Sequence, residues 1–414
     1  MMGVNALNVT LAVIAMLLLT PLLTAQQDMV SVKDHGAVGD GETDDTAAFK
    51  AALAQAGNNG QHVYVPRGRY VLSDTLELKN IGLSGPSVGA WPADIDALPS
   101  ILPTHLDGPA LHLLAGGSVQ GLDITDQRKT ETEEGPPAIL ISGIGVFISN
   151  CRIRYPWDAI ITDGENNVGR LNIDNVFIVA PRNVGVRVTG TWDVPALRNV
   201  EVWNAGPVPR GLNKGIGFHL GKNDLIRVTD CFAFAMRYGF LVEDEIEGCE
   251  IKGGTWGLMT GCATDYCGTG VEVRGNNTLS ITGGTFWDHA ESLRVEGEGG
   301  RVRVTGAELK SNGSPSVVVN GGDHVVVTGC SILRPMETFD APAVVFDRGS
   351  LVLANNNIES HGPGVRIGPD AGAGIVRGNL ITLHGDPAIV PQGDVPQGII
   401  VDGNLVVPGS APED

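Results

Sequence analysis

The densest group of chemically capable side chains in the sequence is Trp287-Asp288-His289, with Asp265, Tyr266, Glu272, Arg274, Glu291 and Arg294 close by in the chain. Cleaving a glycosidic bond takes two carboxyl groups, about 5 Å apart for retention and about 6.5–9.5 Å apart for inversion. Asp265 or Glu272, paired with Asp288 or Glu291, meets the first condition if the partners stand on neighbouring structural repeats. Elimination needs instead a base for the proton alpha to a uronate carboxylate. His219, Arg187, Tyr238 and Arg294 are candidates for that work, with Arg or Ca²⁺ neutralising the carboxylate. The candidate catalytic groups are thus Asp158, His219, Asp265, Glu272, Asp288 and Glu291. The candidate substrate contacts are Arg187, Tyr238, Tyr266, Arg274, Trp287, His289 and Arg294. Rings stack on sugar faces, and acids with Arg bind hydroxyl and carboxylate groups, so the set points to a polysaccharide. No cofactor is expected for hydrolysis; Ca²⁺ enters only with elimination.

A repeat must bring these residues together. Val302-Arg303-Val304-Thr305-Gly306-Ala307-Glu308-Leu309 returns as Val325-Val326-Val327-Thr328-Gly329-Cys330-Ser331-Ile332. A small or polar anchor in such a phrase can be followed through Gly121, Asn150, Asn175, Asn199, Asp230, Gly248, Gly283, Gly306, Gly329, Asn355, Gly378 and Gly403. Periods of this length mark solenoids. Apolar positions alternate, as in Gly185-Val186-Arg187-Val188 and Gly270-Val271-Glu272-Val273, so the unit is built of short strands rather than helices. Stacked units give parallel sheets with about 4.8 Å between neighbouring strands. The beat breaks between Asn199 and Gly283, where inserted loops are expected to build a binding face. The sheet formed by the pre-anchor strands is expected to carry the site, because its outward positions are charged.

The composition agrees. Gly is 57 of 414 residues, about twice the usual share, as tight turns require. A net charge of -19 argues against nucleic-acid binding. Residues 1–25 read as a secretory signal, apolar from Val9 to Leu23 with Thr24-Ala25 before Gln26, so a secreted or periplasmic protein free of the membrane is expected.

At the N-terminal end, Asp34-His35-Gly36-Ala37-Val38-Gly39-Asp40-Gly41 is followed by Thr43-Asp44-Asp45-Thr46 and an Ala-rich helix. Val63-Tyr64-Val65-Pro66-Arg67-Gly68-Arg69-Tyr70 then follows. This series resembles the N-terminal signature of the pectate-lyase superfamily, which includes polygalacturonase-like glycosidases and tailspike-type proteins. The resemblance implies a cap on the first coil of a right-handed parallel β-helix, with Asp40, Asp44 and Asp45 in turns and at the helix N-terminus. Polygalacturonase-like hydrolases carry Asn-Thr-Asp-Gly-Ile where Tyr155-Pro156-Trp157-Asp158-Ala159-Ile160 stands here. Asp158 aligns with the Asp, but Pro156-Trp157 replaces Asn-Thr, and Val184 occupies the place of the family's paired Asp. A plain polygalacturonase is therefore not expected.

Cys151, Cys231, Cys249 and Cys330 each follow an anchor, and Cys262 and Cys267 share one loop, where a disulfide is expected in a secreted protein. The expected architecture is an all-β, single-stranded right-handed parallel β-helix with an N-terminal α-helix cap. Its divisions are a signal at 1–25, the cap at 26–75 and the helix body at 76–414. The expected function is a secreted polysaccharide-active enzyme, a glycoside hydrolase using paired carboxylates. A uronate-specific lyase and a non-catalytic glycan-binding β-helix are the alternatives.

Overall fold

The computed structural model describes residues 29–409, apart from 92–95, 127, 129–133, 205–214, 335–340, 385–386 and 392–393. The signal segment expected at 1–25 lies outside the described residues. The chain winds into a parallel β-solenoid closed at its N-terminal end by one α-helix, Thr46–Asn59. One sheet has 13 strands; the other has 27 and folds at sharp corners into two faces. One turn of the solenoid shows the plan. Val184–Val188 belongs to the 13-stranded sheet, and Ala196–Trp203 runs along the second face, bends at Asn199 and continues on the third.

The bend explains the anchors. Asn150, Asn175, Asn199, Asp230 and Asn355 have φ between 49° and 57°, and the corner glycines lie near 65°. Only Gly, and at small cost Asn or Asp, adopt that left-handed conformation routinely. Corner amides also bond along the axis: Asn175 Nδ2 donates to Asn150 Oδ1 at 2.6 Å, and Asn199 Nδ2 to Asn175 Oδ1 at 2.9 Å. One anchor is corrected. Gly248 lies in the loop between strands Tyr238–Glu243 and Thr255–Thr260, and the corner of that turn is Gly261 at φ 64°. The loop's own Gly-Cys pair mimics the corner phrase, which is why periodicity alone misplaced it.

Inside, Val186, Phe218, Phe240 and Val271 stack in strict register, each fully buried. Phe218 and Phe240 lie ring on ring, 4.6 Å between centroids. A ladder of this kind satisfies backbone donors and acceptors from turn to turn while the apolar column leaves water.

Among the N-terminal acids, Asp40 and Asp44 hold turns as expected, while Asp45 stands at the N-cap position without making a cap bond. Asp40 accepts from the Glu42 and Thr43 amides. Asp44 accepts from Thr46 and from Ser73 Oγ at 2.6 Å, which hold its pKa down at about 2. Asp45 turns away from its own helix and clamps the Val38 and Gly39 amides. The expected boundary at residue 75 does not separate cap from body in hydrogen bonding. Met29–Ser31 pairs with His62–Tyr64, and His62–Tyr64 with Gly82–Ser84, so the first strands already belong to the long sheet.

The expected Cys262–Cys267 bridge is absent; all six cysteines are free and buried. Cys262 and Cys267 sit at opposite ends of strand Ala263–Asp265, whose rise of about 3.3 Å per residue holds them apart. Cys262 instead meets Cys231, its neighbour one turn earlier.

Candidate functional site

On the 13-stranded sheet one outward column runs Arg187, His219, Leu241, Glu272 and Arg294 in register. Three consecutive strands, Ile216–Leu220, Tyr238–Glu243 and Thr269–Arg274, converge their polar side chains there. Arg274 is the hub. Its Nε donates to Glu272 Oε1 at 2.5 Å, its Nη1 to Glu243 Oε2 at 3.3 Å and its Nη2 to the Tyr238 hydroxyl at 3.0 Å. Glu243 also holds His219, with 2.6 Å between Oε1 and Nε2. The Tyr238 ring meets two guanidiniums, Arg237 at 5.0 Å and Arg274 at 5.2 Å from its centroid.

Burial alone would raise the pKa of Glu243, but His219 and Arg274 outweigh it and hold the carboxyl below its usual range. Burial disfavours the Arg274 charge, yet Glu272 and Tyr238 overcome that and raise its pKa further. The cluster thus gathers the Arg274 guanidinium, the carboxyl groups of Glu243 and Glu272, the His219 imidazole and the Tyr238 phenol in one fixed hydrogen-bonded set. Because Glu243 and Glu272 share one guanidinium, their carboxylates lie within ~10 Å of each other. One turn further on, Glu291 and Arg294 form a separate pair at 3.1 Å, and Glu291 also accepts from Thr269.

The other expected residues are placed elsewhere. Asp158 lies at the entry to the strand Ile160–Thr162, where it accepts from the Val184 amide and from Asn183 Nδ2, both at 2.9 Å. Burial lifts its pKa to about 6 against the opposing pull of Arg187. Its bonds tie one turn to the next.

Asp288 points into the corner between faces, 1% exposed, and accepts from Thr264 Oγ1 at 2.8 Å. Burial pushes its pKa far up, and no polymer can reach it, so Asp288 is withdrawn as a catalytic group. Asp265 and Trp287 are register neighbours on the third face, not on loops before the 13-stranded sheet. Trp287 Nε1 donates to Glu308 Oε1 at 2.9 Å and Lys310 lies over its ring. Tyr266 turns the corner after Asp265 at φ 54°, and His289 is exposed in the following turn. Asp265 and Trp287 were misplaced because the short strands Ala263–Asp265 and Thr285–Asp288 read as loop in sequence, whereas Tyr266 and His289 lie in the expected loops, before Thr269–Arg274 and Leu293–Gly297.

Glu243 is the residue that sequence reasoning missed. It heads the acidic run Glu243-Asp244-Glu245, and a run of like charges ordinarily marks solvated surface, yet it faces Arg274 in register. Its signal was position: it stands two residues after the outward Leu241, on the same face of its strand.

Among the described residues, no group of three or more His, Cys, Asp or Glu is placed to hold a metal ion, and no helix is long and apolar enough to cross a membrane.

Two family models match the chain: "Rhamnogalacturonase A/epimerase, pectate lyase-like" over residues 29–106 and "Right handed beta helix region" over residues 269–407. The pre-neck appendage protein of Bacillus phage B103 is 47% identical over 49 residues, which are 12% of this chain and 5% of that protein. The A-module of the mannuronan C-5 epimerase AlgE6 from Azotobacter vinelandii superposes with a TM-score of 0.61 at 17% identity, covering 92% of this chain and 100% of its own. The catalytic unit of a GH87 alpha-1,3-glucanase from Streptomyces thermodiastaticus superposes with a TM-score of 0.53 at 16% identity, covering 92% and 68%. Another GH87 catalytic domain, solved with nigerose bound, gives a TM-score of 0.52 at 13% identity, covering 85% and 66%. At these identities the likeness is one of fold. The signature at the N-terminus, the repeat and the stacked sheets agree with these matches: the fold is a right-handed parallel β-helix, with a pectate-lyase-like stretch at residues 29–106.

Proposed function

We propose that the protein acts on a polysaccharide laid across the 13-stranded sheet, and that the cluster around Arg274 moves protons on an acidic sugar. The observation that carries this reading is the convergence of His219, Glu243, Arg274, Glu272 and Tyr238 from three consecutive strands. Glu243 fixes the His219 ring, as a carboxylate behind a general base does. Arg274, 38% exposed at its side chain, and the adjacent Arg237 offer positive charge to a uronate carboxylate. That charge stabilises the carbanion formed when the C-5 proton leaves. Tyr238, its hydroxyl held by Arg274, stands ready to give a proton to the leaving oxygen, which completes elimination. A proton returned to C-5 from the opposite face would complete epimerisation instead.

Hydrolysis is the second reading, favoured by the closeness of Glu243 and Glu272. It ranks below because a hydrolase needs one carboxyl kept protonated, and Glu243 is held ionised.

The test offers polygalacturonate and alginate to the protein and to His219→Asn and Tyr238→Phe. Conjugated unsaturated ends, or an altered uronate proton spectrum, are expected from the native chain. Both variants should lose at least about a hundredfold in turnover while keeping polymer binding. New reducing ends without unsaturation would replace the proposal with hydrolysis, and activity untouched by both substitutions would remove the cluster from catalysis.

A further inference from the structure

We infer a second carbohydrate site on the third face, one that binds a neutral pyranose glycan and is independent of the chemistry assigned to the 13-stranded sheet. Its core is a run of rings. Trp91 meets Phe177 at 4.7 Å, Phe177 meets Trp203 at 6.3 Å, and Trp203 meets Phe234 at 6.4 Å between centroids. Phe177, Trp203 and Phe234 stand on outward positions of three consecutive turns, so the rings advance along the axis at about 4.8 Å per turn. That advance is comparable to the step per residue of an extended glycan.

The site has a wall as well as a floor. Strands Gly82–Ser84 and Ser100–Pro103 are not joined by a two-residue corner, as Ser118–Gln120 and Asp123–Thr125 are, and Trp91, which lies between them in the chain, stands over Phe177. Arg152, 1% exposed and bonded to the buried Asp123 at 2.9 Å, lies 5.6 Å from the centre of the Trp91 ring and fixes it. Wall and floor enclose a cleft of about 510 Å³, within the ~300–1,000 Å³ of ligand pockets. Trp91 is nonetheless 56% exposed, so its ring awaits a partner.

Charge selects the ligand class. Glu201 stands in register between Phe177 and Phe232, and the lining holds no Lys or Arg among the described residues. A carboxylate among rings accepts hydrogen bonds from sugar hydroxyls and repels acidic sugars. Asn199 supplies a further amide at the rim, where the corner ladder ends because the next corner, Asp230, has no amide to donate. In the column of Phe177, Glu201 and Phe232 the rings give way to Ala263, Thr285 and Glu308, while in the column of Trp203 and Phe234 the next residue is the acid Asp265, with Tyr266 6.0 Å from Phe234.

The full chain would be titrated with cellohexaose, laminarihexaose and mannohexaose by calorimetry and by tryptophan fluorescence. At least one should bind. Trp91→Ala and Trp203→Ala should each weaken binding at least about tenfold. His219→Asn should leave it unchanged, and polygalacturonate should not compete. Trp91 stands on an excursion outside the strands, so its variant reports on binding even if Trp203→Ala folds poorly. Failure of all three hexaoses to bind at millimolar concentration, or binding indifferent to Trp91→Ala, would overturn the site. Binding that appears only after residues 1–25 are removed would overturn it too, by assigning the cleft to a segment of the chain itself.

Discussion

Asp158→Asn should stabilise the protein above neutral pH, and the size of the effect follows from the geometry. The Asp158 carboxyl sits where burial favours the neutral form, and its pKa rises from 3.8 to about 6 even with Arg187 nearby. The folded state therefore binds this proton more tightly than the unfolded chain does. Stability linked to it is complete below about pH 4, declines through the interval up to pH 6, and is lost above. At 1.36 kcal/mol per unit the full loss is at most about 3 kcal/mol. Asparagine keeps the Oδ1 that accepts from the Val184 amide and Asn183 Nδ2, and it carries no charge to bury. Urea unfolding of both proteins at pH 4 and pH 8 tests this, since other titrating groups cancel in the difference. The variant should match the native protein at pH 4 and exceed it by about 1–3 kcal/mol at pH 8. Its turnover should stay within a few-fold of native, because Asp158 ties turns together. Equal stability at both pH values, or a less stable variant at pH 8, would mean that Arg187 holds the carboxylate as an ion pair and that the burial argument is wrong.

Two further outcomes are expected. Gly270→Ala should cost about 3 kcal/mol or more in urea unfolding, since a Cβ there would overlap Asp288 Oδ2 and lie 2.8 Å from the Ser292 carbonyl oxygen. Without reductant, six thiols should titrate in denaturant and almost none in the folded protein; four would mean that one pair of cysteines is bridged, and peptide mapping would show which.

Much of the fold was legible because a solenoid writes its geometry locally. Each turn needs alternating apolar residues and one corner that accepts positive φ, so Val186 with Val188, and then Asn199, declare a strand and a bend within a few residues. The error at Gly248 shows the limit of that reading. A Gly-Cys pair in a loop looks the same as one at a corner until the hydrogen-bonded neighbour, here the strand Thr255–Thr260 beside Asn223–Thr229, is known.

The site was legible in part. The outward column Arg187, His219, Glu272 and Arg294 follows from alternation alone. Its partnerships do not, because which residue of one turn faces which of the next depends on loop lengths that only the folded chain reveals. Glu243 meets Arg274 and His219 across 31 and 24 residues of chain. Asp288 and Trp287, adjacent in sequence, face opposite ways, one into the corner and one to solvent. Sequence by itself determined the repeat, the handed corners and the polar face, since these depend on neighbours along the chain. The tertiary structure alone decided which charges share Arg274, which acid is buried beyond use, and that Trp91 crosses to Phe177 to wall a cleft, since these depend on neighbours across it.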